Sequence, residues 1–506
     1  MKNIIYTFLM LFGIYVMNAC TDLDEDLRDS FTQAGGEEGE EETTAATADG
    51  AFSKLLDGDA GTANHNNFFS IQEVSTDEVA VPAKGGDWFD GGIWVDMHRH
   101  EWKSTSEPLN NTWRGQYEAI GEANRALANP NLTNEEIAQV RVLRAYLYYR
   151  LLDTFGNVKI VTVPEVDAPQ SDREEVFDFV ETELLEAINS GDLSQERGNV
   201  ARINEYAARG VLAKLYLNAE VYTSNARWDD AAAQAQIIMD EGPYDLSPNY
   251  SDVFSPTNAD NIEHIWVVPF DETTGENMNF AQMTLHYGSQ ETFNLQDQPW
   301  NGYTTLEEFY NSYEDSDERK ANNFLVGPQV DSDGDPILDL AKESNDPEFQ
   351  LVYTPEINEL FPNAIRQGGA RMFKFNFKDG QRPNMDNDYP ILRLGDIYLI
   401  RAEAVARSAG DWNNNDARMW VNLLRDRAGV DPFGTLTEQD FFDERGREMF
   451  MEVTRRQDLI RFGRWGAAWW EKPAHDNSNL NLFPIPLDQI NAAATTDNPL
   501  TQNDGY

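Results

Sequence analysis

Behind Thr133 and Glu136, apolar residues return every three or four positions: Ile137, Val140, Leu143, Leu147 and Leu151. That period marks one buried face of a helix. The T-x-x-E start is a capping box, in which side chain and backbone satisfy each other's orphan donors. Ser171 and Glu174 repeat the box ahead of Val176, Phe177, Val180, Leu184 and Ile188, which predicts a second helix. Helices dominate from Thr112 onward. Two helical hairpins follow from the same periodicity, 204–221 with 228–240 and 395–408 with 414–428. Each pairs an Ala- and Leu-rich helix with one opened by Asp or Asn, as in tetratricopeptide-like units, though without a fixed tandem period. Paired helices of this kind stack into an array.

Residues 242–394 break the pattern. Gly, Pro, Asn and Asp become frequent, and short apolar runs such as 265–270 and 372–377 replace the helical period. Such a texture predicts loops with a few short strands, and residues 61–110 share it. The expected fold class is mainly α: tetratricopeptide-like helical hairpins packed against a loop-rich region with a few short strands. Loops carried on a rigid frame are where binding residues usually sit.

The amino terminus has its own pattern. Lys2 precedes an apolar run over 4–17, and Asn18, Ala19 and Cys20 follow. This is the form of a secretory signal, with a run too short for a spanning helix of about 20 residues. Cys20 is the single cysteine of the chain, so it has no internal disulfide partner. The expectation is a lipoprotein signal peptide at 1–19 and acylation of Cys20, although Met17 and Asn18 depart from the usual small residues. The mature chain then meets a membrane only through its N-terminal lipid. Residues 20–50 carry Asp22, Asp24, Glu25, Asp26, Gly35, Gly36 and an acidic run at 37–42. Such a stretch cannot bury enough surface to order itself, and it reads as a lipidated, flexible acidic tether. Residues 51–506 are expected to form a single domain.

Charge narrows the partners. The 506 residues hold 88 acidic against 39 basic side chains, a formal net charge of -49. A field of that sign repels phosphate backbones, so nucleic acid is excluded as a partner. No G-x-S-x-G, H-E-x-x-H, Walker loop or G-x-G-x-x-G helix start occurs. No catalytic residue, cofactor or metal is therefore assigned. His98 and His100 would share a face on a strand but lack a third ligand, and a structural role is expected for them. Asp331, Asp333 and Asp335 resemble half of a calcium loop, but the glycine is Gly334 and the twelfth position is Lys342.

The candidate binding residues are aromatic. Trp88, Phe89, Trp94 and Trp102 crowd one Gly-rich segment, and Trp300 and Tyr303 lie in another. A sugar ring has an apolar C–H face and a rim of hydroxyls, so a flat indole can cover the face while amides and carboxylates bond the rim. The expected ligand-binding set is Trp88 and Trp300 first, then Trp94, Tyr303, Asp87 and Asn301. Asp90 and Gln298 are further rim candidates, while Trp465, Trp469 and Trp470 are expected to be packing.

Four segments carry a family resemblance: KGGDWFDGGIWVDMHRHEW at 84–102, QPWNGYTTLEEFY at 298–310, YPILRLGDIYLIR at 389–401, and the carboxyl end. The last comprises ERGREMFMEVTRRQDLIRFGR at 444–464, LFPIPLDQI at 482–490 and the terminal QNDGY. Together they resemble the SusD/RagB family of nutrient-uptake outer-membrane lipoproteins. The resemblance implies a tetratricopeptide-like helical half against a variable loop-rich half. It also implies a cell-surface location and a partner, a SusC-like TonB-dependent outer-membrane barrel over which the lipoprotein sits. The cargo it implies is an oligosaccharide or polysaccharide, with peptides in the RagB branch. A lipid-anchored glycan hydrolase is the alternative from another class, since abundant acidic residues leave a catalytic carboxylate pair open. The paired Arg and carboxylate residues of 389–401 and 444–464 are expected to knit helices together.

Overall fold

In the computed structural model, residues 46–506 are described, apart from 57–59, 165, 274–277 and 340–349. Cys20, the signal peptide and most of the expected tether lie outside the described residues. The tether's last residues do not behave as a leash. Thr47 caps helix α1 (Ala48–Ser53) through Gly50 N at 3.0 Å, and Ala48, Ala51 and Phe52 are buried. Two more helices interrupt the segment read as loops at 61–110: α2 (Phe68–Glu73) and α3 (Ile93–Arg99). Asn67 caps α2, and every residue of that helix is buried, which alternation between polar and apolar letters could not reveal.

The frame begins with α4 (Glu107–Leu127) and α5 (Asn134–Thr154). The Thr133–Glu136 box is formed as expected, with Thr133 N donating to Glu136 at 2.8 Å and Glu136 N to Thr133 Oγ1 at 3.2 Å. Helix α6 (Arg173–Ser190) starts one position later than expected. Its box is Asp172 with Glu175, because Ser171 is taken into a short antiparallel ladder opposite Val158. The first hairpin is α7 (Glu205–Leu217) with α8 (Trp228–Glu241), and the second is α9 (Leu394–Ala409) with α10 (Asn415–Arg427). From α4 to α10 each helix packs on the next, so α8 meets α9 although 242–393 intervene in the chain.

The intervening region supplies short strands, as its texture predicts. Strand β1 (Val79–Ala80) pairs with β3 (Thr304–Thr305), and β2 (His264–Pro269) pairs with β4 (Asp388–Arg393), all antiparallel. In β2–β4 Tyr389 faces Val268, and the register shifts beyond Pro390, where a proline cannot donate to the ladder. The fold is mainly α with a few short strands.

Two further helices, α11 (Glu438–Met449) and α12 (Arg455–Arg461), close the carboxyl end over α9. Most of their charged residues are interior. Arg393, fully buried, donates to Glu263 and Glu448 at 2.8 Å and to Glu452 at 2.7 Å. Arg319 reaches Asp317 and Glu444 at 2.8 Å and Glu448 at 3.0 Å. Arg461 holds Glu403 at 2.7 Å and Asp458 at 2.6 Å. Burial by itself pushes the Glu444 carboxyl up, but Arg319, Arg447 and Arg425 outweigh it and hold it at about 2. The expectation that these motifs join elements agrees with this lattice.

Candidate functional site

Two loops meet at the residues singled out for binding. In the first, Lys84 N donates to Asp87 O at 2.9 Å and Asp87 N returns to Lys84 O at 3.2 Å, closing a tight turn before α3. The next residues run through left-handed backbone: Trp88 at φ 58, Asp90 at φ 43, Gly91 and Gly92. On the opposing loop Asn301 has φ 56. A bulky residue such as Trp88 rarely adopts that region. Each such residue costs on the order of 1–3 kcal/mol and persists only where its surroundings over-determine it, a situation concentrated at functional sites.

Those surroundings are visible. Trp88 Nε1 donates to the Trp300 carbonyl at 2.6 Å. The Trp88 ring meets Tyr303 edge-on at 5.7 Å and lies across Gly302, where a Cβ atom would come within 2.4 Å of the indole. The second loop is itself fixed: Trp300 N donates to Gln282 O at 2.7 Å, Asn301 N to Leu285 O at 2.9 Å and Gly302 N to Met283 O at 2.8 Å. The ladder β1–β3 continues from it. Lys84 ties both loops, its ammonium donating to Pro82 O at 3.0 Å and Gly302 O at 3.3 Å. Burial, with Arg371 beside it, pushes that ammonium well below the usual lysine range.

Between the loops opens a cleft of about 430 Å³. Trp88, Trp300, Tyr287 and His65 contribute rings to its wall, and Asp87, Asp90 and Gln298 contribute polar groups. The His65 ring centroid stands 5.6 Å from Trp300 and 5.8 Å from Trp88. Burial pushes its pKa down against the opposing pull of Asp90 and Glu107, so the ring is uncharged at neutral pH. Flat apolar walls beside carboxylate and amide acceptors suit a ligand with a hydrophobic face and a hydroxylated edge.

Trp88, Trp300 and Asp87 line the cleft, with Asp90 and Gln298. Trp94, Tyr303 and Asn301 do not, which corrects their expected position: all three are buried, with exposures of 2, 0 and 0%. Trp94 Nε1 donates to Asp90 at 2.8 Å, and the Tyr303 hydroxyl meets Ser70 of α2 at 2.6 Å. Both rings therefore turn inward, toward the first loop and α2, and brace the wall from behind. The Asn301 side chain is buried and both its polar atoms lack a hydrogen-bond partner among the described residues. His65 and Tyr287 were not anticipated. Nothing in the polar surroundings of His65 signals a site, whereas the Tyr-Gly pair at 287–288 carries the same aromatic-beside-glycine signal used for Trp88.

The remaining candidates resolve as structure. His98 and His100 lie at the end of α3, not on a strand, so their side chains diverge. His98 Nε2 meets the Trp470 carbonyl at 2.7 Å, and His100 stands 3.0 Å from His475 and 2.8 Å from the Ser75 carbonyl. Asp331 Oδ1 accepts the backbone N–H groups of Asp333 and Asp335 at 2.9 and 2.8 Å, folding the segment into a tight turn. Lys342 lies outside the described residues. Trp465 is buried, and Trp469 and Trp470 pack half-buried against Ala80, Val95, Leu306 and Leu360. Among the described residues no cluster of three His, Cys, Asp or Glu is placed to hold a metal ion, and no helix is long and apolar enough to cross a membrane.

Comparison with known proteins agrees with this architecture. The family model described as "SusD family" matches residues 362–506, and the one described as "Starch-binding associating with outer membrane" matches 54–217. Starch-binding protein SusD of Bacteroides thetaiotaomicron is 27% identical over 416 residues, spanning 74% of this chain and 73% of that protein. SusD-like protein P25 of Formosa agariphila is 25% identical over 451 residues, spanning 79% and 80%. Among solved structures, surface glycan-binding protein A from Bacteroides fluxus superposes with a TM-score of 0.72 at 19% identity, over 93% of this chain and 100% of that one. A laminarin binding SusD-like protein gives a TM-score of 0.70 at 21% identity, over 91% and 99%. The two family models meet the chain at its two helical ends, where the array and the charge lattice lie: the chain belongs to the SusD/RagB family.

Proposed function

We propose that this protein is a cell-surface binding lipoprotein, anchored to the outer membrane through Cys20. In this reading it captures oligosaccharides or polysaccharides, does not cleave them, and delivers them to a SusC-like TonB-dependent transporter. The observation that carries the reading is the open cleft walled by Trp88, Trp300, Tyr287 and His65 with Asp87, Asp90 and Gln298 at its edge. Stacking rings with rim acceptors recognise a pyranose by its two unlike surfaces. The relatives named for starch and laminarin support the same class of ligand. A glycosidase needs two carboxyl groups facing each other across the scissile bond. Here the two cleft carboxylates, Asp87 and Asp90, stem from one stretch of loop and serve as hydroxyl acceptors.

Calorimetric titration of residues 46–506 with starch, laminarin, xylan and galactomannan tests the reading. Binding of at least one without release of reducing ends, weakened at least tenfold by Trp300→Ala, is the expected result. Binding of peptide mixtures alone would move the protein to the RagB-type cargo. New reducing ends produced by the pure protein would make it a hydrolase.

A further inference from the structure

Two large apolar side chains stand in solvent beside the cleft: Phe89 is 39% exposed and Phe361 is 40% exposed. Single exposed apolar residues are ordinary. These two are not single, for their rings stack on one another with centroids 5.2 Å apart and planes at 29°. They come from distant parts of the chain, and the backbone fixes their meeting. Ala83 N donates to Leu360 O at 2.8 Å, Gly85 N to Pro362 O at 3.0 Å, and Ala364 N to Ala83 O at 3.0 Å. Leu360 beneath them is fully buried. The pair is thus held ready, and little conformational freedom remains to be lost when something covers it.

Its position says what that is. Phe89 lies between Trp88 and Asp90, both of which line the cleft, so its Cα is about 3.8 Å from each. Phenyl rings have no polar tip and can offer only a face. Asp90 and Asn363, both exposed, supply acceptors at the edge. This is the cleft's own chemistry, continued outward along the same loop. The carboxylates of Asp87 and Asp90 stand at the junction, and in a chain of net charge -49 they repel uronates and sulfates.

We infer that Phe89 and Phe361 form a second stacking platform for further units of the same uncharged glycan chain. The protein then grips long oligomers more tightly than short ones. The inference rests on the cleft being the glycan site.

The test uses oligosaccharides of two to eight units, cut from whichever of the four polysaccharides binds, titrated into the wild type and Phe89→Ala/Phe361→Ala. In the wild type, affinity rises about tenfold or more from two units to six, the scale of one added ring contact. The double variant binds the shortest oligomers as the wild type does and loses that rise, and each single variant loses part of it. Phe361→Tyr retains it. Equal affinity of wild type and double variant for the longest chains overturns the inference. So does an equal loss at every length with an unchanged melting temperature, since the pair then acts only on the cleft. If the double variant keeps the length dependence but no longer co-purifies with an outer-membrane barrel, the patch is a protein contact and the inference falls. If none of the four polysaccharides binds the wild type, the cleft reading itself fails and takes the platform with it.

Discussion

The indole N–H of Trp88 donates to the main-chain carbonyl of Trp300 at 2.6 Å, joining two loops that are 212 residues apart. One tryptophan, itself only 9% exposed, therefore positions the other by its polar tip, and both line the cleft. Trp88→Phe keeps a ring and deletes the donor, leaving a part-buried carbonyl unpaired. A loss of about 1–3 kcal/mol is expected, read from the urea midpoint, together with weaker glycan binding. Trp300→Ala, at a half-buried position, is expected to leave the midpoint nearly unchanged while affinity falls.

Gly302 is the point where the Trp88 indole crosses the second loop, and a Cβ there would stand 2.4 Å from the ring. Gly302→Ala forces the ring aside and is expected to cost about 1–3 kcal/mol or more, as overpacking does. Tryptophan fluorescence and urea unfolding check this. Gly86→Ala is the control, since nothing lies within 4 Å of a Cβ at that position.

Arg393 is surrounded by Glu263, Glu448 and Glu452 with no solvent to replace it. Arg393→Met removes the one cation that Glu263, Glu448 and Glu452 share, leaving them to Arg427, Arg319 and Lys374. An expected loss of about 3–5 kcal/mol follows from removing one side of a buried ion pair. By contrast Lys103→Ala, at the exposed pair with Asp96, is expected to leave the denaturation curve unmoved.

Stability against pH follows from two opposed sets of carboxylates. Glu403 and Glu444 resist the upward push of burial because arginines hold them at about 2. Their contribution is fully present above the unfolded value of about 4.5 and is lost as pH falls toward 2. Glu73 and Asp388 are pushed up to about 7, Glu73 by burial and Asp388 by burial and Asp260. Their neutral forms favour the fold, so stability declines as pH rises from about 4 through 7. Melting temperatures over pH 3–9 are expected to peak on the acid side of neutrality, and Glu73→Gln with Asp388→Asn is expected to flatten the decline above the peak.

The array was legible because its signals are local. Thr133 and Glu136 sit three residues apart, and the apolar stripe behind them needs no distant partner to be read. The start of α6 shows the limit of such signals. Ser171–Glu174 and Asp172–Glu175 are both capping boxes on paper, and only the pairing of Ser171 with Val158 selects the second. The site was legible in outline for a similar reason: tryptophans flanked by glycine and proline lie on loops. Which face of each ring meets solvent depends on contacts from elsewhere, and Ser70 of α2 draws Tyr303 inward. His65 joins the cleft solely through tertiary proximity to Trp88 and Trp300, which no neighbouring letter encodes.

Among the described residues, the charge lattice around Arg393 takes its members from 263, 317, 319, 374, 393, 425, 427 and 444–452, and none from 84–92 or 298–303. Its arginines and glutamates neutralise one another and ask nothing of the aromatic loops. Substitutions in those two short stretches therefore leave the lattice's own ion pairs in place.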